Sequence, residues 1–269
     1  MKNIEEMIEY YKDLGYSDRN AEARVCQDIV LKSIAKSNLV KNITVKGGVV
    51  MRGITNDLRR ATEDLDLDFI RYSLEDDSIR RFISKLNCLS GISLEIKENK
   101  IEPLSQQEYR GKRVYIIIKD EKDYSLESKI DFGVHTNLEV AQDTYCFDVC
   151  LDDEGANLLI NSCEQIFVEK LRSLLRFGPL STRYKDIFDF YYLKDYVDLK
   201  RLKKCIKIYI IDEPAMREKN MDDIRKRISV TLNNRQFVTN LERSGDRNWL
   251  QIDVKKALLT FQDFLESID

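Results

Sequence analysis

The octapeptide Thr62-Glu63-Asp64-Leu65-Asp66-Leu67-Asp68-Phe69 restricts the fold more than any other stretch. A strand turns successive side chains to opposite faces, so Asp64, Asp66 and Asp68 share one face and Leu65, Leu67 and Phe69 the other. Like charges in a row on one face repel. Such a row suits a solvated edge strand, where charge discourages aggregation, or a site where a cation sits among the carboxylates. Hard divalent cations such as Mg²⁺ take oxygen ligands from one or two carboxylates plus substrate phosphates. On this stretch alone the two readings are equally good.

Three prolines and ten glycines in 269 residues argue for long helices and against a many-turned all-β fold. With 43% apolar and 34% charged residues the chain reads as a soluble globular protein. Its length allows one large domain or two modest ones. A net charge of −3 gives no global attraction to nucleic acid. Any such contact needs a local basic patch, for which Arg52, Arg59, Arg60, Arg110, Lys112 and Arg113 are candidates. Ordinary solvated charge explains these residues as well. The six cysteines form no CxxC pair, and with the single histidine, His135, they build no zinc pattern. Free thiols, no signal-peptide core and no apolar run of membrane-spanning length make a cytoplasmic protein the expectation.

Along the chain, residues 4–14 read as a short amphipathic helix and 17–37 as a longer one, with Ala21, Val25, Ile29 and Ile34 on one face. Ile43-Thr44-Val45 reads as a strand running into Lys46-Gly47-Gly48, with a buried helix start at Val49-Val50-Met51. A strand, two glycines and a helix start is a place where backbone N–H groups face an anion. A helix over 75–89 and strands over 92–96, 113–118, 126–134 and 145–151 follow. In the third of these strands Lys129 and Asp131 face away from Ile130, Phe132 and Val134. From about Glu154 the pattern is helical only, over 161–177, 182–196, 199–211, 221–232, 253–267 and a weaker stretch at 235–243. The expected architecture is α+β: a mixed sheet flanked by helices in 1–153, then an all-helical domain over 154–269.

Two charged sets lie in the helical part. Glu169-Lys170 interrupts an apolar helix, and Arg183, Lys185, Asp186 and Asp189 lie on the next one. The short turn between them predicts antiparallel packing that brings Lys170 near Lys185 and Asp186. Asp186 and Asp189 are i, i+3 neighbours, and Lys185 and Asp189 an i, i+4 pair. Surface ion pairing explains this spacing as well as a cationic wall for nucleotide phosphates does.

Lys46-Gly47-Gly48, Arg60-Ala61-Thr62-Glu63-Asp64-Leu65-Asp66, Lys129-Ile130-Asp131-Phe132-Gly133, Val168-Glu169-Lys170-Leu171 and Arg183-Tyr184-Lys185-Asp186-Ile187-Phe188-Asp189 occur in one order. This series resembles the AbiEii/AbiGii toxin family of nucleotidyltransferase-like proteins, which includes the MenT toxins and belongs to the DNA polymerase β-type nucleotidyltransferase superfamily. The resemblance spans roughly residues 40–195; the N-terminal helices and the last 70 residues carry no motif. It implies a nucleotidyltransferase core, a helical C-terminal domain and a cleft between them. By the same resemblance Gly47 and Gly48 contact triphosphate, and Asp64, Asp66 and Asp131 hold Mg²⁺, with Mn²⁺ as an alternative. Lys170, Lys185 and Asp186 match later catalytic motifs, Lys170, Lys185 and Asp189 bind the nucleotide, and Asp68 is left as the bystander. The first motif departs from the Gly-Ser of many superfamily members, which removes a hydroxyl donor to phosphate.

The implied activity is metal-dependent transfer of an NMP from an NTP to an RNA acceptor, a tRNA 3′ end, in a toxin–antitoxin or abortive-infection system, with a nearby antitoxin as partner and no membrane. Transfer to a protein or small molecule is an alternative enzyme reading. A catalytically silent nucleotide- or RNA-binding module is the reading outside enzymes.

Overall fold

The computed structural model describes residues 2–104 and 111–268. Arg110, one of the candidate RNA contacts, lies outside the described residues. The chain forms two compact units, Met1–Asn161 and Ser162–Asp269.

In the first unit, helices α1 (Ile4–Asp13) and α2 (Asp18–Lys36) precede strand β1 (Ile43–Lys46), helix α3 (Gly47–Thr55), strand β2 (Leu65–Phe69) and helix α4 (Asp76–Lys85). Strands β3 (Ile92–Pro103), β4 (Lys112–Asp120), β5 (Ser125–Val134), β6 (Asp143–Phe147) and β7 (Ala156–Ile160) complete a seven-stranded sheet of order β3-β4-β5-β2-β1-β7-β6. The sheet is mixed: β2 runs parallel to β5 and antiparallel to β1, and β1 runs parallel to β7. The acidic stretch is therefore a central strand, which removes the edge-strand explanation of its charges.

The alternation places the core where the pattern predicts. Leu65, Leu67 and Phe69 are buried, as are Ile43, Val45, Ile130 and Phe132 on the neighbouring strands. Phe69 stacks on Phe132 at 4.9 Å, and Phe82 of α4 meets both rings edge-on at 5.1 and 5.5 Å. Burying each such ring stabilises the fold by roughly 2–3 kcal/mol.

Two elements differ from expectation. The middle of α2 is buried on all sides rather than along one face, from Val25 to Ile34. Its polar residues are paired: the Lys32 ammonium meets Asp152 at 2.7 Å and the Gly155 carbonyl at 2.8 Å, and the Tyr11 hydroxyl donates to Asp28. Residues 156–160, expected in the helical part, form β7 and pair with β1 and β6. The segment Ala156-Asn157-Leu158-Leu159-Ile160 is too short for its pattern to distinguish a buried strand from a helix turn.

The second unit is helical throughout its described residues: α5 (Cys163–Phe177), α6 (Lys185–Leu193), α7 (Leu199–Ile206), α8 (Met221–Leu232), α9 (Arg235–Arg243) and α10 (Val254–Glu266). Ser162 caps α5 by accepting from the Gln165 N–H, and Gly178 at φ +52° ends it before Pro179. Phe167, Phe190 and Phe261 form the aromatic centre, the last two stacked at 4.2 Å. A π-turn over Lys207–Ile211 extends α7. No helix among the described residues is long and apolar enough to cross a membrane.

Candidate active site

The first unit builds its polar cluster at the point where β1 passes into α3. Gly47 has φ +66°, and a β-carbon there would lie 2.6 Å from Asp66 Oδ2. A β-carbon at Gly48 would lie 2.5 Å from Thr62 Oγ1 and 2.8 Å from Thr62 Cβ. The two glycines therefore let the first turn of α3 close onto the acidic motif. That turn presents N–H groups with no intrahelical partner beside a carboxylate-bearing strand.

Asp66 stands at the centre of the cluster. Its backbone partners are Lys46 on β1 and Asp131 on β5, so Asp66 and Asp131 are in-register neighbours on one face. Asp131 is gripped by the Arg113 fork, Nε to Oδ1 at 2.7 Å and Nη2 to Oδ2 at 2.8 Å. This pairing raises the Arg113 pKa through its hydrogen bond to Asp131. Asp64, more exposed, pairs with Lys129 at 3.0 Å. Asp68 is buried and takes the Lys46 ammonium at 2.7 Å. The three acids are thus unlike: Asp64 is open, Asp66 faces Gly47, and Asp68 is committed to Lys46.

Behind Asp68 lies a buried polar network. The His135 N–H donates to the Phe69 carbonyl at 2.9 Å, and its Nε2 lies 3.4 Å from Gln142 Nε2. Burial lowers the His135 pKa, opposed by the charge of Asp68. The Thr44 hydroxyl donates to Gln142 Oε1 at 2.7 Å and lies 3.2 Å from Asn161 Oδ1.

Divalent metal fits this donor set in chemistry: oxygen ligands on adjacent strands, with a glycine where any side chain would fill the space beside Asp66. No three acidic, histidine or cysteine side chains among the described residues are already gathered around one point. A cation binding Asp64 and Asp131 competes with Lys129 and Arg113, which offset the carboxylate charge in its place.

The second unit carries its own cluster. Lys170 of α5 meets Asp186 at 2.6 Å and Asp189 at 2.9 Å, both from α6. Asp186 is the partner that packing of the two helices predicts for Lys170; Asp189 joins it where Lys185 is expected. Asp189 is fully buried, and its other oxygen accepts from Trp249 Nε1 at 3.0 Å. Lys185, half-buried, opens α6 one residue before Asp186. One lysine held by two carboxylates, with the only tryptophan of the chain behind them, is a fixed charge cluster rather than a row of surface ion pairs.

The expected basic patch is a correction. Arg52 and Arg60 are buried. Arg52 donates to Gln27, whose amide reaches the Thr62 carbonyl at 2.9 Å, and burial together with the like charge of Arg24 pulls its pKa down to about 10. Arg59 pairs with Asp57, Lys112 with Asp76, and Arg113 with Asp131. Sequence reasoning also missed Arg113, Lys129 and Trp249 as partners of the motif acids. Arg113 and Lys129 could be found only once the β4–β5–β2 register was known. A buried tryptophan N–H needs an acceptor, but nothing local to Trp249 names Asp189.

A mixed sheet with a Gly-Gly helix start against an aspartate strand, followed by a helical unit, is the architecture expected of a nucleotidyltransferase-type protein. The chain belongs to the AbiEii family, described as nucleotidyl transferase AbiEii toxin of type IV toxin–antitoxin systems: the family model matches residues 29–266. A search of curated proteins returned no match. The chain is accordingly a nucleotidyltransferase of a toxin–antitoxin family, and that family implies an NTP substrate, a divalent metal and an antitoxin.

Proposed function

We propose that the protein transfers an NMP from an NTP to an RNA acceptor, with a tRNA 3′ end as the acceptor and Mg²⁺ as the metal. The observation that supports the site is Asp66, which lies against Gly47 at the start of α3 and is in register with Asp131. Asp64, Asp66 and Asp131 would hold the cation, which supplies charge for the transferred phosphate and leaving group and acidifies the attacking hydroxyl. The first-turn N–H groups at Gly47 and Gly48 receive the triphosphate. The acceptor hydroxyl oxygen bonds to the α-phosphorus as its proton passes to solvent water, the bond from the α-phosphorus to the bridging oxygen of the β-phosphate breaks, and pyrophosphate leaves. Arg113 orients the Asp131 carboxylate through both oxygens. In the second unit, Lys170, held by Asp186 and Asp189, and Lys185 keep the role that the family motifs imply for them, cations that offset phosphate charge.

The test is incubation of purified protein with α-labelled NTPs and total tRNA. Label on tRNA that is lost in Asp66→Asn supports the proposal. Label on protein or a small molecule with tRNA untouched favours the other transferase reading. A biological effect unchanged by Asp64→Ala and Asp66→Ala points to a silent binding module.

A further inference from the structure

From Leu199 to Ile211 the chain carries Lys200, Arg201, Lys203, Lys204 and Lys207 and no acid, in a protein of net charge −3. Positions 200, 203, 204 and 207 follow the i, i+3, i+4, i+7 spacing, so the four lysines form one stripe along two turns of α7 and its continuation. All four are exposed, whereas Leu202, Cys205 and Ile206 on the other side are buried. Two acids beside this helix are engaged by Arg201: Glu164 pairs with its guanidinium at 3.5 Å, and the Asp198 carboxylate caps α7 at the Arg201 N–H at 2.8 Å.

Beside this stripe stands an exposed aromatic face. Tyr196, 60% exposed and four residues before Lys200, stacks on Tyr192 with ring centres 4.6 Å apart and planes 19° apart. Tyr192 in turn lies 5.7 Å from the buried Trp249 ring. Tyr196 is thus held flat from behind with its other face in solvent. Cations along a helix and a supported aromatic face at one end match the needs of single-stranded nucleic acid, whose phosphates take the cations and whose bases stack. An acidic polypeptide would use the lysines but has no call on the ring.

We propose that the lysine stripe of α7 together with Tyr196 is the surface that holds the single-stranded end of the RNA acceptor. This rests on the RNA reading above and names where that RNA is held. The residues belong to neither acid cluster, so they can be changed without touching Asp66, Asp131 or Lys170.

The test measures binding of the full chain to a 5′-fluorescein RNA hairpin with a single-stranded 3′ tail, in EDTA and without NTP. Fluorescence anisotropy over a range of salt concentrations reads both affinity and its salt dependence. K200E/K203E/K207E is expected to weaken binding by at least about tenfold, and to make the slope of log K against log salt shallower by about 2, three phosphates at roughly 0.7 each. Y196A is expected to weaken binding about fivefold with the slope unchanged, because a stacking contact releases no counterion. The neutral variant K200Q/K203Q/K207Q, with circular dichroism matching wild type, should show the same change in slope.

Wild-type affinity and slope in the glutamine variant overturn the proposal, as does wild-type affinity in Y196A. Displacement of the hairpin by polyglutamate at equal charge concentration also overturns it, in favour of an acidic polypeptide. The two proposals fail separately. If the hairpin binds through α7 but wild type transfers no NMP to RNA, the surface stands and the function reading falls. If the glutamine variant labels tRNA at the wild-type rate, the function stands and the surface falls.

Discussion

Gly47 and Gly48 sit side by side at the start of α3, yet the structure makes their replacement costly for different reasons. At Gly47 an alanine must adopt φ +66°, a left-handed conformation that costs roughly 1–2 kcal/mol for an L-residue. Its methyl also comes within 2.6 Å of Asp66 Oδ2, the far end of a side chain rather than backbone. Gly47→Ala should therefore destabilise the first unit by about 1–2 kcal/mol from backbone strain. Transfer should fall about a hundredfold, because a displaced carboxylate would no longer hold the cation where the phosphate reacts. Gly48 has no unusual φ, but its methyl would strike Thr62 at three atoms, Oγ1, Cβ and Cγ2, at 2.5, 2.8 and 3.1 Å. Thr62 has little room to retreat, since its carbonyl is held by Gln27. Overpacking of this kind costs about 1–3 kcal/mol. All three clashing atoms vanish in Thr62→Gly, so Gly48→Ala/Thr62→Gly should lose less stability than the sum of the two single changes. Gly47→Ala combined with Asp66→Ala should show no such relief of the backbone term. Equilibrium urea unfolding followed by circular dichroism measures the stabilities, and labelled-NTP transfer measures activity. Additive losses in the Gly48/Thr62 pair, or wild-type activity in Gly47→Ala, would refute this account of the glycine turn.

Trp249→Phe keeps most of the buried ring but removes the indole N–H that donates to Asp189 Oδ1, a hydrogen bond to a charged group whose loss should cost about 1–3 kcal/mol in urea unfolding. Because Asp189 also fixes Lys170, the same variant should weaken the nucleotide's hold, and combination with Asp189→Asn should be less than additive; strict additivity would mean the bond is not made. His135, the only histidine, has a pKa lowered by burial, so the folded state resists a proton that the unfolded chain accepts near 6.5. Stability is then fully present above about pH 6.5 and declines as pH falls from there toward the lower folded value; urea midpoints at pH 7.5 and 5.5 should show this decline in wild type, and His135→Gln should flatten it. An equal decline in the variant would assign it to other groups.

Much of the first unit was legible because its signals are local. The period-two alternation of 65–69 and 130–134 predicts which residues face the core, and the structure buries Leu65, Leu67, Ile130 and Phe132 accordingly. Lys46-Gly47-Gly48 marks a strand-to-helix turn, and the Gly-Pro at 178–179 marks the end of α5. What escaped depends on which strand lies beside which. Arg113 reads as a solvated charge until β4 is known to pair with β5 opposite Asp131. Arg52 and Arg60 read as a basic surface until α3 and the turn after it are packed, and burial withdraws both from solvent. Asp68 looked idle because its partner, Lys46, is supplied by the neighbouring strand. In Ala156-Asn157-Leu158-Leu159-Ile160 the apolar Leu159 breaks the alternation that its burial follows, so only its pairing with β1 and β6 reveals a strand.

The central claim is that Asp66, set against Gly47 and in register with Asp131, is a carboxylate on which nucleotidyl transfer depends. The most direct measurement compares wild type with Asp66→Asn, a near-isosteric change, for label transferred from α-labelled NTP to total tRNA, with unfolding curves run in parallel. The account predicts labelled tRNA from wild type and a loss of at least about a hundredfold in a variant that unfolds like wild type. Labelling by Asp66→Asn within a factor of about two of wild type would contradict it.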